Sequence, residues 1–302
     1  MVTLSFEYEK VYNVILDNEL GPRGSLLDAT VRLDRQPHSC NVLCVFKGDF
    51  GFIVRVTKYV TVDLPDFEHR DYWRVVGFGV CPKTSDPKLV HVTFPRYSLE
   101  NETWKVEVFS LSSRFWRSRS FSKINDLLCE YVELSSDSEC VDGFIYWCAS
   151  IKDNDNRSWV IISFDLTNEE FGVIYLPDTL ARHNHLNLSK YRESLVLLPD
   201  DYSNYVHDVW MMEGSVTKSF KKQFTITSID RLEPMGISYN GEVIMKIREL
   251  SMKLKTVGSI KTYEPSSNRF KWTTITGVHG EICMSSYMES MLLYDYKQFK
   301  LT

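Results

Sequence analysis

The alternation of apolar and polar residues is clearest over residues 104–116, WKVEVFSLSSRFW. Val106 and Val108 fall on one side of an extended segment, and Glu107 and Phe109 fall on the other. The run is rich in β-branched and aromatic residues, which favour strands. A Ser-Ser-Arg sequence then supplies turn-forming residues, and an aromatic pair restarts the apolar pattern. The pattern predicts a strand, a tight turn and a second strand.

The same arrangement recurs at intervals of about 45 to 55 residues, with a shorter last step. Copies lie at residues 159–171 and 259–272, with a looser copy at 207–220 and a shortened one at 290–299. In three copies an aromatic residue is followed seven positions later by a second one. We interpret these residues as structural anchors of a repeated unit: Phe109 and Trp116, Phe164 and Phe171, and Tyr263 and Phe270.

Each copy follows an apolar segment introduced by a turn, as at Asp142-Gly143 and Asn240-Gly241. Asp-Gly and Asn-Gly tolerate the positive φ of hairpin turns, so each unit is predicted to be an antiparallel meander of three or more strands. A single meander exposes an apolar face and two edges, whereas several meanders packed around an axis bury those faces. The predicted fold class is therefore all-β, a propeller-like array of roughly six meander sheets, distorted or partly open. A β-sandwich is the alternative.

Local patterns add further predictions. Apolar runs predict strands at residues 39–46, 59–62, 73–80 and 88–94, with another at 50–56. Gly77-Phe78-Gly79 is interpreted as a turn or bulge, because no phosphate-binding continuation follows it. We find no pattern that predicts a helix of more than ten residues, and the one candidate for a helix lies near residues 121–128.

Composition narrows the class of protein. The chain has 302 residues, 43% hydrophobic and 13% aromatic, which suits a large β-sheet core. A formal net charge of −5 argues against nucleic-acid or membrane partners, because such binding usually needs a basic excess. Seven cysteines form a poor disulfide framework, and no secretory signal is recognised at the start. We therefore expect a cytoplasmic or nuclear location, or both.

The sequence contains no recognisable catalytic motif, so we expect no catalytic residue, no cofactor and no metal. His183 and His185 are spaced as two metal ligands on a strand would be, but no third ligand is evident and loop histidines are the favoured interpretation. We expect partner binding at two places. One is the loop around Tyr202, Tyr205 and His207, where aromatic residues suit an interface. The other is the basic pair Arg114 and Arg117, which suits an acidic partner. The alternatives are a plain surface loop and a solvated basic face.

Seven segments together resemble the plant F-box-associated domain, type 1, of F-box proteins, including the S-locus F-box-like group. Each segment alone is weakly specific, but their order along residues 39–300 is that of the family. The segments are SCNVLC (39–44), VTKYVTVDLP (56–65), VGFGVCPKTSDPKLVHV (76–92), WKVEVFSLSSRFWRS (104–118), VDGFIYWCA (141–149), IISFDLTNEEFGVIYLP (161–177) and VWMMEG (209–214).

The resemblance implies a β-propeller-like domain that recruits a protein substrate to a cullin-type ubiquitin ligase. It implies no catalysis by this chain. An F-box pattern is not detectable in residues 1–37, so we divide the chain into an N-terminal segment without an F-box, 1–38, and the F-box-associated domain, 39–302. Binding of a Skp-type adaptor is expected only if an F-box lies upstream. The alternatives are a decoy that lacks an F-box, and an enzyme or small-molecule binder at the mouth of the same scaffold.

Overall fold

The computed structural model describes most of the chain. The described residues are 10–14, 32–36, 39–46, 58–63, 65, 72–96, 104–120, 131–153, 156–201, 205–214, 218–238, 240–247, 257–278 and 282–284. The predicted strand at 50–56 and the segment near 121–128 lie outside the described residues.

The described residues are almost all in strands. In chain order these are β1 (Lys10–Val14), β2 (Arg32–Gln36), β3 (Ser39–Phe46), β4 (Lys58–Asp63), β5 (Tyr72–Val80), β6 (Pro87–Pro95), β7 (Lys105–Ser110), β8 (Phe115–Ser120), β9 (Tyr131–Val141), β10 (Phe144–Asp153), β11 (Asn156–Asp165), β12 (Glu170–Tyr175), α1 (Asp178–Ala181), β13 (His185–Tyr191), β14 (Ser194–Asp200), β15 (Val206–Glu213), β16 (Ser219–Thr227), β17 (Leu232–Ile237), β18 (Val243–Ile247), β19 (Val257–Glu264), β20 (Arg269–Val278) and β21 (Ile282–Met284). In this part of the chain no helix is long and apolar enough to cross a membrane.

The strands form five sheets in the described residues. Four sheets have four strands taken consecutively from the chain: β5–β8, β9–β12, β13–β16 and β17–β20. The fifth has the order β21-β1-β2-β3-β4, in which β21 pairs parallel to β1 and the other pairs are antiparallel. The all-β, meander-based fold predicted from the repeats is therefore confirmed. The division at residue 38 stays a prediction, and β1 and β2 of that first segment are paired in the fifth sheet.

The chain divides into two compact units, residues 69–234 and residues 1–68 with 235–302. The first contains the sheets β5–β8, β9–β12 and β13–β16, and the middle sheet packs against both of the others. Successive residues of β10 point in turn toward the preceding and the following sheet. Ile145 and Trp147 pack with Val90 of the preceding sheet, whereas Tyr146 packs with Leu197 of the following one. Both faces of the middle sheet are buried, as expected for an inner member of a propeller-like array.

The aromatic pairs of the repeat lie directly opposite each other across hairpins. Phe109 pairs with Trp116, Phe164 with Phe171 and Tyr263 with Phe270, with ring centroids 5.4, 4.9 and 5.1 Å apart. Cross-strand aromatic pairs at this separation stabilise a hairpin beyond the area that they bury. Two aromatic residues seven positions apart therefore face each other across a hairpin in which one further pair of residues and a four-residue turn lie between them.

The three turns also share a backbone conformation. Their last residues, Arg114, Glu169 and Asn268, have φ values of 63°, 57° and 53°. This left-handed conformation costs about 1–2 kcal/mol for a residue with a side chain. In two of the turns the preceding strand ends in a residue whose carbonyl accepts a hydrogen bond from this last residue: Arg114 N donates to Ser110 O and Glu169 N to Asp165 O, both at 2.8 Å.

Gly77 and Gly79 lie inside β5 with regular pairing to β6, so the interpretation of this segment as a turn or bulge is wrong. The two glycines allow a close approach of the next sheet. A Cβ at Gly77 would overlap the ring of Trp147 and lie 2.5 Å from Ile145 Cγ2. A Cβ at Gly79 would lie 2.5 Å from Cys140 Sγ. The missing side chains make the space into which Trp147 packs.

We expect the Gly77→Ala substitution to lower the free energy of unfolding by about 1–3 kcal/mol, because the new methyl group overpacks a filled core. Urea unfolding followed by tryptophan fluorescence measures the change. Gly172→Ala is the matched control, because the nearest atom to its new Cβ is the Ser163 hydroxyl oxygen at 3.0 Å. A loss at Gly77 no greater than that at Gly172 would contradict the packing argument.

Candidate protein-binding site

The two ends of the sheets in the 69–234 unit differ in the connections that they carry. At one end the first strand of a sheet joins the second and the third joins the fourth. The connections described in full are residues 81–86, 111–114, 142–143, 166–169 and 192–193. We call this end the tight-turn edge. At the other end β12 leads to β13 through residues 176–184, and β16 leads to β17 through 228–231. We call it the long-loop edge.

Exposed apolar side chains cluster on the long-loop edge beside the third sheet. Ile229 is 94% exposed, the highest value among the large apolar residues described. Tyr205 is 42% exposed and the neighbouring Val206 is also exposed. Arg231 Nε lies 3.5 Å from the Tyr205 hydroxyl oxygen, to which it donates. We call Tyr205, Val206, Ile229 and Arg231 the Tyr205 patch.

Hydrogen bonds fix the backbone that presents this patch. Ser228 N donates to Tyr205 O at 2.8 Å, which joins the end of β16 to the start of β15. Asp230 N donates to Ser228 Oγ at 3.0 Å, which closes a turn around Ile229. An apolar side chain at the tip of a hydrogen-bonded turn loses little further backbone entropy when a partner covers it.

The structure separates the partner-binding residues predicted from the sequence. Tyr205 belongs to the patch, and Tyr202 lies outside the described residues. His207 is only 2% exposed, because β15 alternates and Val206 takes the outward position. His207 therefore offers no surface to a partner in this conformation. Sequence analysis did not single out Ile229 or Arg231, since a lone isoleucine in a polar segment has no distinguishing pattern.

Arg114 and Arg117 lie on a different sheet and near the opposite edge. Arg114 is exposed at the end of the β7–β8 turn. Arg117 instead donates from Nη2 to Glu169 Oε1 at 2.7 Å, and its side chain is 38% exposed. The predicted basic pair does not face solvent as a unit, since one of its members is held in an ion pair with the next sheet.

Glu169 is the centre of that ion-pair network. Its carboxylate is buried and also accepts a hydrogen bond from Lys88 Nζ at 2.9 Å. The same ammonium donates to Leu166 O at 2.7 Å. Lys88 and Arg117 belong to the first sheet, and Glu169 ends the tight turn of the second. The network therefore ties two successive sheets at the tight-turn edge, with one buried carboxylate shared between a buried ammonium and a partly exposed guanidinium.

A second tie joins the second and third sheets at the same edge. Lys218 Nζ lies 3.6 Å from the centroid of the Phe144 ring and donates to Tyr146 Oη at 2.9 Å. Burial raises the pKa of the Tyr146 phenol, and burial lowers the pKa of the Lys218 ammonium. The position of the ammonium over an aromatic face offsets part of its lost hydration. This lysine connects two sheets and is not part of a free basic surface.

In the described part of the chain, no group of three or more His, Cys, Asp or Glu side chains is placed to hold a metal ion. His183 lies in the loop before β13, where its carbonyl accepts a hydrogen bond from Trp159 Nε1 at 2.8 Å. His185 begins β13, with its ring 6.1 Å from that of Trp159. Both histidines thus have neighbours that account for their positions.

Comparison with known proteins agrees with this architecture. The sequence profile of the F-box associated beta propeller domain matches residues 55–297, which is most of the chain. The chain belongs to this family. Its F-box-associated domain therefore includes all three sheets that surround the features described above.

Three curated proteins of Arabidopsis thaliana are similar to this F-box-associated domain. F-box/kelch-repeat protein At3g04660 is 30% identical over 132 residues, 40% of this chain and 33% of that protein. F-box/kelch-repeat protein At3g23880 is 24% identical over 220 residues, which are 72% of this chain and 55% of that protein. F-box protein CPR1 is 27% identical over 180 residues, which are 55% of this chain and 43% of that protein. The chain thus spans about a third to a half of these relatives.

We expect Glu169→Gln to lower the free energy of unfolding of the F-box-associated domain by about 3–5 kcal/mol, because it leaves a buried lysine without its anionic partner. Arg117→Ala removes a half-exposed partner and should cost no more than about 1 kcal/mol. Chemical denaturation of both variants tests the difference. Similar losses would contradict the central role assigned to the buried carboxylate.

Proposed function

We propose that this chain is a non-catalytic protein-binding module that recruits a protein substrate to an SCF-type, cullin-based ubiquitin ligase. Membership of the F-box-associated family is the observation that carries the proposal. The names of the similar proteins, two F-box/kelch-repeat proteins and one F-box protein, support it. Ubiquitin transfer itself belongs to other subunits, and a Skp-type adaptor joins where an F-box is present in the same protein. We place this activity in the cytoplasm or the nucleus.

The Tyr205 patch is the surface that we assign to substrate contact. Tyrosine and arginine are the side chains most often found at the energetic centres of protein interfaces. A tyrosine adds a large apolar area at a small cost in side-chain entropy, and Arg231 lies beside its hydroxyl. Ile229 adds an apolar group that a shallow pocket on a partner can enclose. The patch therefore suits a folded partner or an ordered segment with an apolar depression.

Quantitative affinity capture tests the assignment. The purified chain is immobilised in three forms: wild type, the double variant Tyr205→Ala/Ile229→Asp, and Phe115→Ala. Phe115 is an exposed aromatic residue at the tight-turn edge and serves as the matched control. Plant extract with the proteasome inhibited is passed over each form, and bound proteins are quantified by mass spectrometry.

The expected result is a set of proteins that bind the wild type and Phe115→Ala equally but fall by about tenfold or more with the double variant, since loss of an interface centre costs about 2 kcal/mol. Each such protein is then tested in a reconstituted ligase in which this chain is fused to an F-box. Substrates should be ubiquitinated by the wild-type fusion and poorly by the double variant.

Three outcomes would contradict the proposal. If the recovered partners bind the double variant as well as the wild type, the Tyr205 patch is not the substrate-binding surface. Partners that bind through the patch but are never ubiquitinated would favour a decoy. A metabolite that raises the melting temperature, with no partner sensitive to the patch, would favour a small-molecule binder on the same scaffold.

A further inference from the structure

Four strands stand last in their four-stranded sheets: β8, β12, β16 and β20. In the described residues each is paired on one side only. The free backbone N–H and C=O groups of such an edge are a template for another strand. Proteins usually block the template with lysine, arginine or proline, or with a bulge that bends the edge away.

Three of the four edges carry these features. β8 has two arginines, β16 has two lysines and an irregular register, and β20 has an arginine, a lysine and an irregular register. The residues are Arg117 and Arg119 in β8, Lys221 and Lys222 in β16, and Arg269 and Lys271 in β20.

The remaining edge strand, β12, reads EFGVIY and contains no lysine, arginine or proline. Its six residues pair with β11 in unbroken register, from Asp165 opposite Glu170 to Val160 opposite Tyr175. Tyr175 is 67% exposed at the end of the strand. Pro177 follows two residues later and prevents the edge from extending further. The strand is therefore a short, regular edge whose single charge lies at its first residue.

Symmetry limits how such an edge can meet a copy of itself. A two-fold axis perpendicular to the sheet leaves the two faces of the sheet unexchanged, so residues that pair across the axis must point to the same face. Because successive residues of a strand alternate between faces, the sequence numbers of such a pair differ by an even number. Centred on Val173, the pairing places Phe171 opposite Tyr175 of the copy and Gly172 opposite Ile174. Glu170 then lies opposite Leu176, and no like charges meet.

The same operation fails on the neighbouring edge. Only two registers pair as many as five residues of β8. Centred on Arg117, the strand places that residue opposite itself, and centred on Ser118 it places Arg117 opposite Arg119. Like charges directly opposite each other destabilise a strand pair. The β16 and β20 edges are further interrupted by their irregular registers. Self-complementarity thus distinguishes β12 from the other three edges.

We propose that two copies of this chain associate antiparallel through β12, with Val173 at the two-fold axis. The occupant of the edge is a second copy because its own sequence supplies the matching aromatic and aliphatic pairs without opposing charges. A contact of seven residues on each copy, 170–176, lies at the small end of protein interfaces, so the dimer is in reversible exchange with the monomer. This association is independent of the proposed role in substrate recruitment.

Sedimentation velocity of the purified chain over about a hundredfold range of concentration tests the proposal by mass action. The wild type should shift from monomer toward twice the monomer mass as concentration rises. Tyr175→Lys places a cation opposite Phe171 of each copy and should weaken association by at least about tenfold. Tyr175→Phe keeps the apolar ring and should retain it.

Trp272→Lys is the matched control, because Trp272 is 68% exposed on the β20 edge, which already carries charge. It should associate as the wild type does. Circular dichroism establishes that each variant is folded. A wild type that stays monomeric at all concentrations would overturn the proposal. So would a dimer that survives Tyr175→Lys, or one that Trp272→Lys disrupts equally.

Discussion

The central sheet of the 69–234 unit buries both of its faces, and the surrounding features follow from this constraint. Its strand β10 alternates between two cores, so Trp147 packs toward one neighbour and Tyr146 toward the other. Native packing density leaves no room for independent adjustment on either side. Gly77 is one consequence, because the ring of Trp147 occupies the space where a side chain would stand. Buried polar groups must find partners within the protein, because water does not reach them.

The tight-turn edge is where those partners meet. Glu169 accepts hydrogen bonds from the preceding sheet, and Lys218 donates one to the sheet before its own. Asp86 is also buried there and accepts hydrogen bonds from Ser110 Oγ at 2.6 Å and Ser112 N at 2.9 Å. The long-loop edge carries exposed apolar residues such as Ile229.

Sequence reasoning found what depends on local spacing and missed what depends on distant pairing. The seven-residue aromatic interval of Phe109 and Trp116 follows from one hairpin with a four-residue turn, so a single chain segment contains all the information. The partner of Arg117 is 52 positions away, and no local pattern indicates that its guanidinium has an anionic neighbour. The interpretation of Gly77 as part of a turn or bulge fails for the same reason, since Trp147 becomes its neighbour only after two sheets pack. His207 is buried because β15 begins one residue earlier, at Val206, which takes the outward position, whereas the surrounding polar sequence is typical of a surface loop.

The two proposed contacts use different parts of the same unit and are compatible with each other. The Tyr205 patch lies on loops at one end of the third sheet, whereas β12 is the outer strand of the second. Pairing through β12 consumes backbone groups of an edge and leaves the patch exposed, so a dimer would present two patches. A partner with two matching surfaces would then gain from a high effective concentration, which raises apparent affinity by about 10² to 10⁴ without new contacts when the geometry allows both to engage. A weak edge contact is sufficient for this effect, because a bivalent partner supplies the missing stability of the dimer.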